Sequence, residues 1–132
     1  MEIEFRAKAI NRDKGEHRSN YKNGDWVYGL ITRKYRPEFE SLPAEMSDGY
    51  VSGIEVDYRT IGQCINTVDK FGVYIYEGDI VKYNGDYYRI EYLSKYARFA
   101  PVKKGTVFAV FGFNNCEKVG NIYDNSELME EK

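Results

Sequence analysis

Histidine is nearly missing from this 132-residue chain, which holds one, His17, with two cysteines, one tryptophan and three prolines. Each shortage excludes a chemistry. Zinc sites need His, Cys or carboxylate ligands in close groups, and Cys64 and Cys116 lie far apart with no Cys-x-x-Cys pair. A Ser–His–Asp or Cys–His site would have to use His17, which sits between Glu16 and Arg18 in a polar stretch and reads as a solvated loop residue. No phosphate-binding Gly-x-x-x-x-Gly-Lys and no Gly-x-Gly-x-x-Gly is present. Apolar runs are short, so no membrane span is expected. The opening residues Met1-Glu2-Ile3-Glu4-Phe5 are acidic and alternating rather than those of an export signal. The expectation is a reducing cytoplasm, two free thiols, no metal, no cofactor and no enzymatic activity.

What the chain has instead is aromatic side chains: 13 Tyr and 7 Phe. Such residues suit pleated, half-buried surfaces and point to a mainly β protein. Tyr also suits binding surfaces, where an apolar body meets a wet tip. Net charge is −2, but the signs are segregated. Residues 1–36 and 92–116 are basic, and residues 37–91 and 117–132 are acidic. Alternating blocks of charge fit self-association or a polarised surface.

Periodicity divides the chain into about nine short, mostly antiparallel strands. Residues 2–9 alternate, with Ile3, Phe5, Ala7 and Ala9 on the apolar face and Glu2, Glu4, Arg6 and Lys8 on the polar one. Residues 10–25 read as a loop ending in a Lys22-Asn23-Gly24-Asp25 turn. A largely buried strand follows over Trp26–Thr32, with Gly29 marking a bulge or close approach. Residues 36–49 leave room for a turn or two of helix limited by Pro43. Tyr50–Tyr58 reads as one alternating strand and Thr60–Ile65 as another. Asp69-Lys70-Phe71-Gly72 is a turn. Ile80–Tyr83, Asn84-Gly85 and Asp86–Tyr92 make a hairpin with a type I′ turn, pairing Tyr83 with Asp86, Lys82 with Tyr87 and Val81 with Tyr88. That register places Val81, Tyr83, Tyr88, Ile90 and Tyr92 on one face. Strands over Ala97–Lys103 and Thr106–Phe111, a short strand over Lys118–Tyr123, and a last helical turn capped around Asp124-Asn125-Ser126 complete the reading. The later part has the spacing of a small SH3-like barrel. The chain reads as one unit over 1–132, with sub-parts 1–68, an N-terminal β region, and 69–132, the barrel region.

Two groups of side chains could carry chemistry. Glu77 and Asp79 flank Gly78, with Asp86 close in sequence, and paired carboxylates can act as acid and base or hold Mg²⁺. Glu-Gly-Asp ahead of a strand is also what a tight turn requires, and the turn explains these residues without a ligand. Lys95, Tyr96, Arg98, Phe99, Lys103 and Lys104 form a basic, aromatic stretch free of acids. Small β-barrels use such a combination on single-stranded nucleic acid, although a solvated loop accounts for it equally well.

Five blocks then carry a family likeness: Ile3-x-Phe5-Arg6-Ala7; Trp26-Val27-Tyr28-Gly29; Ile61-Gly62-Gln63; Asp69-Lys70-x-Gly72-x-x-Ile75-Tyr76-Glu77-Gly78-Asp79-Ile80-Val81; and Gly120-Asn121-Ile122-Tyr123-Asp124-Asn125. In this order they resemble the YopX-like proteins of phages and prophages of Gram-positive bacteria. Cys64 departs from a usual aromatic, Asn66-Thr67-Val68 from Thr-Gly-Leu, and Ser126 from Pro. The resemblance implies a small β-rich phage protein and brings no catalytic residues with it. Within it, Gly62, Gln63, Asp69, Gly72, Glu77, Gly78 and Asp79 are expected to be structural. The function expected is that of a non-enzymatic accessory protein acting by self-assembly as a homo-oligomer or by binding a host or phage protein. The alternative is a nucleic-acid-binding module at 95–104.

Overall fold

The structure, a computed structural model, describes residues 3–10, 21–33, 48–103, 109 and 111–130. Eleven strands lie among them, every pairing is antiparallel, and the only helical pieces are 3-10 turns. The protein is mainly β. Its chain forms two compact units, residues 1–63 and 64–132.

In the first unit β1 (Phe5–Lys8) pairs with β2 (Trp26–Gly29), setting Lys8 opposite Trp26 and Arg6 opposite Tyr28. The turn before β2 closes as expected. Asp25 N–H donates to the Lys22 carbonyl, Lys22 N–H donates to the Asp25 carboxylate, and Gly24 takes a positive φ. Ala7 and Ala9 are buried, as the alternation requires. Arg6 corrects it: this side chain, expected on the polar face, is only 2% exposed. Trp26 is the physical reason. The Arg6 guanidinium lies 4.5 Å and the Lys8 ammonium 5.4 Å from its ring centre, so the tryptophan roofs the cationic face of β1. Ile3, expected on the buried face, is exposed.

The strand expected over Trp26–Thr32 is two strands. It breaks at Gly29, whose φ of 145° is open mainly to glycine, before β3 (Ile31–Arg33). Only Val27 of β2 is buried, whereas Tyr28 and Leu30 face solvent. A Cβ at Gly29 would overlap the Ser52 hydroxyl, which donates to the Tyr28 carbonyl. The single strand expected over Tyr50–Tyr58 is likewise a hairpin of β4 (Asp48–Val51) and β5 (Ile54–Asp57), with Val51 opposite Ile54. Ser52 at φ 49° and Gly53 at φ 78° make the turn. β4 also pairs with β3. Ala7, Ala9, Val27, Val51 and Val56 form the core, with Tyr21, Ile31, Ile54 and Ile61 packed against it. A 3-10 turn, Tyr58–Thr60, replaces the expected start of the next strand. Thr60 Oγ1 donates to the Asp57 carbonyl and accepts from Lys8 N–H, tying this turn to β1. The next strand, β6 (Gly62–Val68), opens by pairing Gly62 with Arg6 and Gln63 with Phe5.

In the second unit the remainder of β6 pairs with β7 (Tyr74–Tyr76). A four-stranded sheet then runs in the order β10-β9-β8-β11, from β8 (Asp79–Tyr83), β9 (Asp86–Leu93), β10 (Arg98–Val102) and β11 (Glu117–Asn121). The β8–β9 register is the expected one at Val81, Lys82 and Tyr83, about Asn84 at φ 51° and Gly85 at φ 83°. Val81 and Ile90 are buried with Ile75 and Cys116, under Tyr83, Tyr88, Phe99, Phe111 and Phe113. Tyr83 stacks on Phe111 at 4.3 Å, and Tyr88 meets the same ring edge-on at 5.3 Å. Tyr92, expected on the face shared by Val81 and Ile90, is exposed there and touches Phe99 edge-on at 5.1 Å. Among the described residues the sheet is open at β10 and β11, so the closure of an SH3-like barrel is not seen in them. The last helical turn forms over Ser126–Met129, but without the expected side-chain cap. Asn125 Oδ1 accepts instead from Asn121 N–H. His17, the helical stretch read within 36–49 and the strand read over Thr106–Phe111 lie outside the described residues, apart from the Asp48-Gly49 start of β4 and from Ala109 and Phe111.

Candidate interaction surfaces

The residues of the Asp69–Val81 block converge on one polar network in the second unit. Asp69 opens the turn before β7. Its Oδ1 accepts from Phe71 N–H and Val73 N–H, both at 2.9 Å, and its Oδ2 accepts from Lys118 N–H at 2.9 Å. Burial alone would raise its pKa, but these three amides outweigh burial and hold the carboxyl below its ordinary value. Asp79 is 0% exposed. Its Oδ2 accepts from Tyr76 N–H at 2.7 Å and lies 3.1 Å from Lys118 Nζ, which also donates to the Tyr74 carbonyl. Lys118 therefore engages Asp69 through its backbone and Asp79 through its side chain. Sequence reasoning passed over this lysine, since nothing in a five-residue strand marks a side chain that bridges two distant turns.

The glycines of the block have backbone reasons. Gly72 at φ 81° donates to the Asp69 carbonyl and closes the turn. Gly78 at φ 91° donates to the Ile90 carbonyl and accepts from Ile122 N–H, and a Cβ there would press on the Tyr123 ring. Glu77 is half-buried beside it. Gly62 and Gln63 pair with β1 in the first unit. Both cysteines are free and buried. Cys116 Sγ donates to the Phe113 carbonyl, and its thiol is pushed up to about 11, by burial first and then by the Asp69 charge. Among the described residues, no group of three or more His, Cys, Asp or Glu side chains could hold a metal ion.

The basic stretch is divided. Lys95 and Tyr96 stand exposed on the β9–β10 turn, the ammonium 5.8 Å from the ring, and Arg98 opens β10 beside them. Phe99 packs into the core cluster, which removes its face from base stacking. Lys103 lies beyond the far end of β10 and is bound to Asp86 at 3.1 Å. At about 3.3 Å of rise per residue, roughly 16 Å separates Arg98 from Lys103. Lys104 lies outside the described residues.

Two further features emerge. Phe71, Val73 and Tyr74 stand exposed on the turn that Asp69 builds, Phe71 most of all at 68%. Because Asp69 takes the backbone amides of Phe71 and Val73, the turn is held while these side chains project. The signal was in the sequence, since a Phe inside a four-residue turn has little core to reach. The other feature is a cavity of about 170 Å³ lined by Tyr87, Leu128 and Met129, with Asp86, Lys103 and Glu130 around it. Sites for nucleotide- or drug-sized ligands start at about 300 Å³.

Antiparallel sheets, carboxylates tied to backbone amides, and exposed aromatic side chains beside them define a small, mainly β protein. Comparison with known families agrees in scale: the family described as YopX protein matches residues 4–130, nearly the whole chain, and this chain belongs to it. No curated protein matches it. Among the described residues no helix is long and apolar enough to cross a membrane.

Proposed function

We propose that this YopX-family chain is a non-enzymatic accessory protein of a phage or prophage, working in the cytoplasm by self-assembly or by binding another protein. The observation that carries the reading is the pairing of engaged carboxylates with exposed aromatics. Asp79, one of the carboxylates that could have served acid–base work, and Asp69 are committed to backbone amides and to Lys118. The same network braces the turn carrying Phe71, Val73 and Tyr74. Aromatic side chains at fixed positions are the usual anchors of protein interfaces, because few rotamers are lost on docking. The phage setting rests on the family likeness.

A nucleic-acid module is the second reading, supported by the exposed Lys95, Tyr96 and Arg98 at one sheet end. One pair of measurements separates the two: light scattering of the purified protein at micromolar concentration, and binding to short single- and double-stranded DNA and RNA at low and near-physiological salt. The self-assembly form of the first reading expects a mass above the monomer, and both of its forms expect no salt-sensitive binding to oligonucleotides. A strict monomer that binds oligonucleotides less tightly as salt rises reverses the ranking.

A further inference from the structure

We infer that Asn84-Gly85 is a site of self-modification, at which the Gly85 backbone nitrogen displaces the Asn84 side-chain amide and Asn84 becomes aspartate or isoaspartate. The reaction needs no partner and is independent of assembly.

The chain holds the same triplet twice, Asn23-Gly24-Asp25 and Asn84-Gly85-Asp86, so a difference between the two is structural. Glycine after asparagine leaves the nitrogen open to approach, because no Cβ shields it. At the second triplet both reacting groups are at liberty. Asn84 and Gly85 are exposed, and among the described residues neither the Asn84 carboxamide nor the Gly85 N–H has a hydrogen-bond partner. At the first triplet Gly24 N–H donates to the carbonyl of the buried Ala9 at 2.8 Å, and Asn23 is itself engaged.

Backbone geometry separates them further. Attack requires the nitrogen to eclipse Cβ about the Asn Cα–C bond. For an L-residue that is a ψ of about −120°, the value at the first central residue of a type II′ turn. Asn84 at φ 51° and Gly85 at φ 83° form a type I′ turn. Rotating the one peptide between them gives type II′ and keeps Tyr83 paired with Asp86. The reactive geometry is therefore a minor state of the intact hairpin. Asn23 instead opens a type II turn, with Gly24 at φ 91° and Asp25 N–H donating to the Lys22 carbonyl at 3.0 Å. Its ψ is then about +120°, or about −30° after the same rotation, and neither brings nitrogen and side chain together.

The atoms balance. The Gly85 N–Cγ bond forms, the Cγ–Nδ2 bond breaks, and the Gly85 proton leaves with the amide as ammonia. One water then opens the cyclic imide at either carbonyl, giving aspartate at one and isoaspartate at the other. The isoaspartyl link carries the main chain through Cβ and adds a methylene to the loop that fixes the Tyr83–Asp86 pair. Tyr83, stacked on Phe111 at 4.3 Å, is the first core residue to feel it.

Peptide mapping tests the inference. The purified full chain is aged at mildly alkaline pH and digested with trypsin, which places Asn84 in peptide 83–89 and Asn23 in peptide 23–33. Mass spectrometry with fragmentation that tells isoaspartyl from aspartyl links reads both. A chain aged in urea gives the ratio of the two rates that flanking residues alone set. In the folded protein that ratio should favour Asn84 by about tenfold more, since freeing Gly24 N–H costs about one net hydrogen bond. A folded ratio no larger than the unfolded one, or an Asn84 that does not convert in folded protein, overturns the inference. Asn84→Gly suits the turn and has no amide to lose. The melting midpoint of aged parent protein should fall as its isoaspartate accumulates, and that of aged Asn84→Gly should not. An equal fall in both overturns the consequence for the hairpin.

Discussion

The core of residues 1–63 is made of Ala7, Ala9, Val27, Val51 and Val56, whereas that of residues 64–132 sets Ile75, Val81, Ile90 and Cys116 beneath five aromatic rings. Small β-branched and alanine side chains bury little area each, and burying a valine contributes roughly 1.5–3 kcal/mol at most. Aromatic pairs such as Tyr83–Phe111 add about 0.5–1.5 kcal/mol beyond their burial. The second unit also has the Asp69–Lys118–Asp79 network, whose members lie far apart in sequence. Among the described residues of the first unit, Thr60 Oγ1 takes Lys8 N–H, the Ser52 hydroxyl donates to the Tyr28 carbonyl, and Trp26 covers Arg6. The difference teaches where specificity comes from. One unit is defined mainly by packing around β1, the other by carboxylates that fix two turns and tie both to Lys118 of β11.

The comparison breaks most readily at Asp79. Truncating one partner of a buried ion pair costs about 3–5 kcal/mol, because the other charge is left without compensation. Asp79→Ala should lose that much in urea unfolding followed by circular dichroism, and it also deprives Tyr76 N–H of its acceptor. Trp26, the only tryptophan and a member of the first unit, gives a second optical probe of the same variant. A variant within about 1 kcal/mol of the parent would mean that the network does not hold the second unit together.

Asp69 comes next, and its effect depends on pH. Its carboxyl is held below the ordinary value of 3.8 in the folded state. A depressed pKa means that the stabilisation is fully present above the unfolded value and is lost as pH falls through the folded one. Asp69→Asn should therefore destabilise the protein by about 2 kcal/mol near neutral pH, as hydrogen bonds to a charge are worth about 1.5–3 kcal/mol each and the amide keeps part of them. The difference from the parent should shrink below about pH 4. A constant difference down to about pH 2 would assign the loss to shape rather than to charge.

The two hairpin turns show how much was legible and why the rest was not. The register about Asn84-Gly85 is legible because Asn and Gly both tolerate positive φ and the flanking faces separate cleanly. Ser52-Gly53 makes the same kind of turn and is hidden in the sequence. Ser is a poorer left-handed residue, and Ile54 and Val56 continue an apparent alternation through it. What holds Ser52 there is its hydroxyl bond to the Tyr28 carbonyl, a contact across 24 positions that periodicity cannot carry. Arg6 is misplaced by periodicity for a related reason: alternation names the polar face of a strand but not the tryptophan that covers it. Lys118 leaves no local trace at all. The mainly β character, the Asn84-Gly85 hairpin and the Asp69 turn were legible because local chemistry decides them. The breaks at Gly29 and Ser52 and the polar network were not, because tertiary contacts decide them.

That contrast makes a paired prediction. A Cβ meets nothing within 4 Å at Gly53 or at Gly85, and both residues sit near φ 80°. Gly53→Ala and Gly85→Ala should therefore cost the same, about 1–2 kcal/mol of left-handed strain each, whichever unit they lie in. Thermal melts of the two variants check this, and a markedly cheaper Gly53→Ala would show that the Ser52-Gly53 turn relaxes in a way the Asn84-Gly85 turn does not.

The smallest expected effect lies at Asp57, which sharpens the contrast with Asp69. The Arg59 guanidinium bonds its carboxylate at 3.0 and 3.1 Å and, with some opposition from burial and help from Arg59 N–H, holds its pKa down as well. The direction matches that of Asp69, yet the setting does not. The Arg59 side chain is 61% exposed, so water and salt screen the pair, and such pairs contribute about 0–1 kcal/mol. Asp57→Asn should change stability by a few tenths of a kcal/mol near neutral pH, with the remainder vanishing at high salt. Asp69→Asn should keep most of its effect at the same salt, because backbone amides rather than a mobile guanidinium hold that carboxylate. If both variants lose their effect together as salt rises, the two carboxylates are equivalent surface charges, and the distinction between a unit fixed by packing and one fixed by carboxylates does not stand.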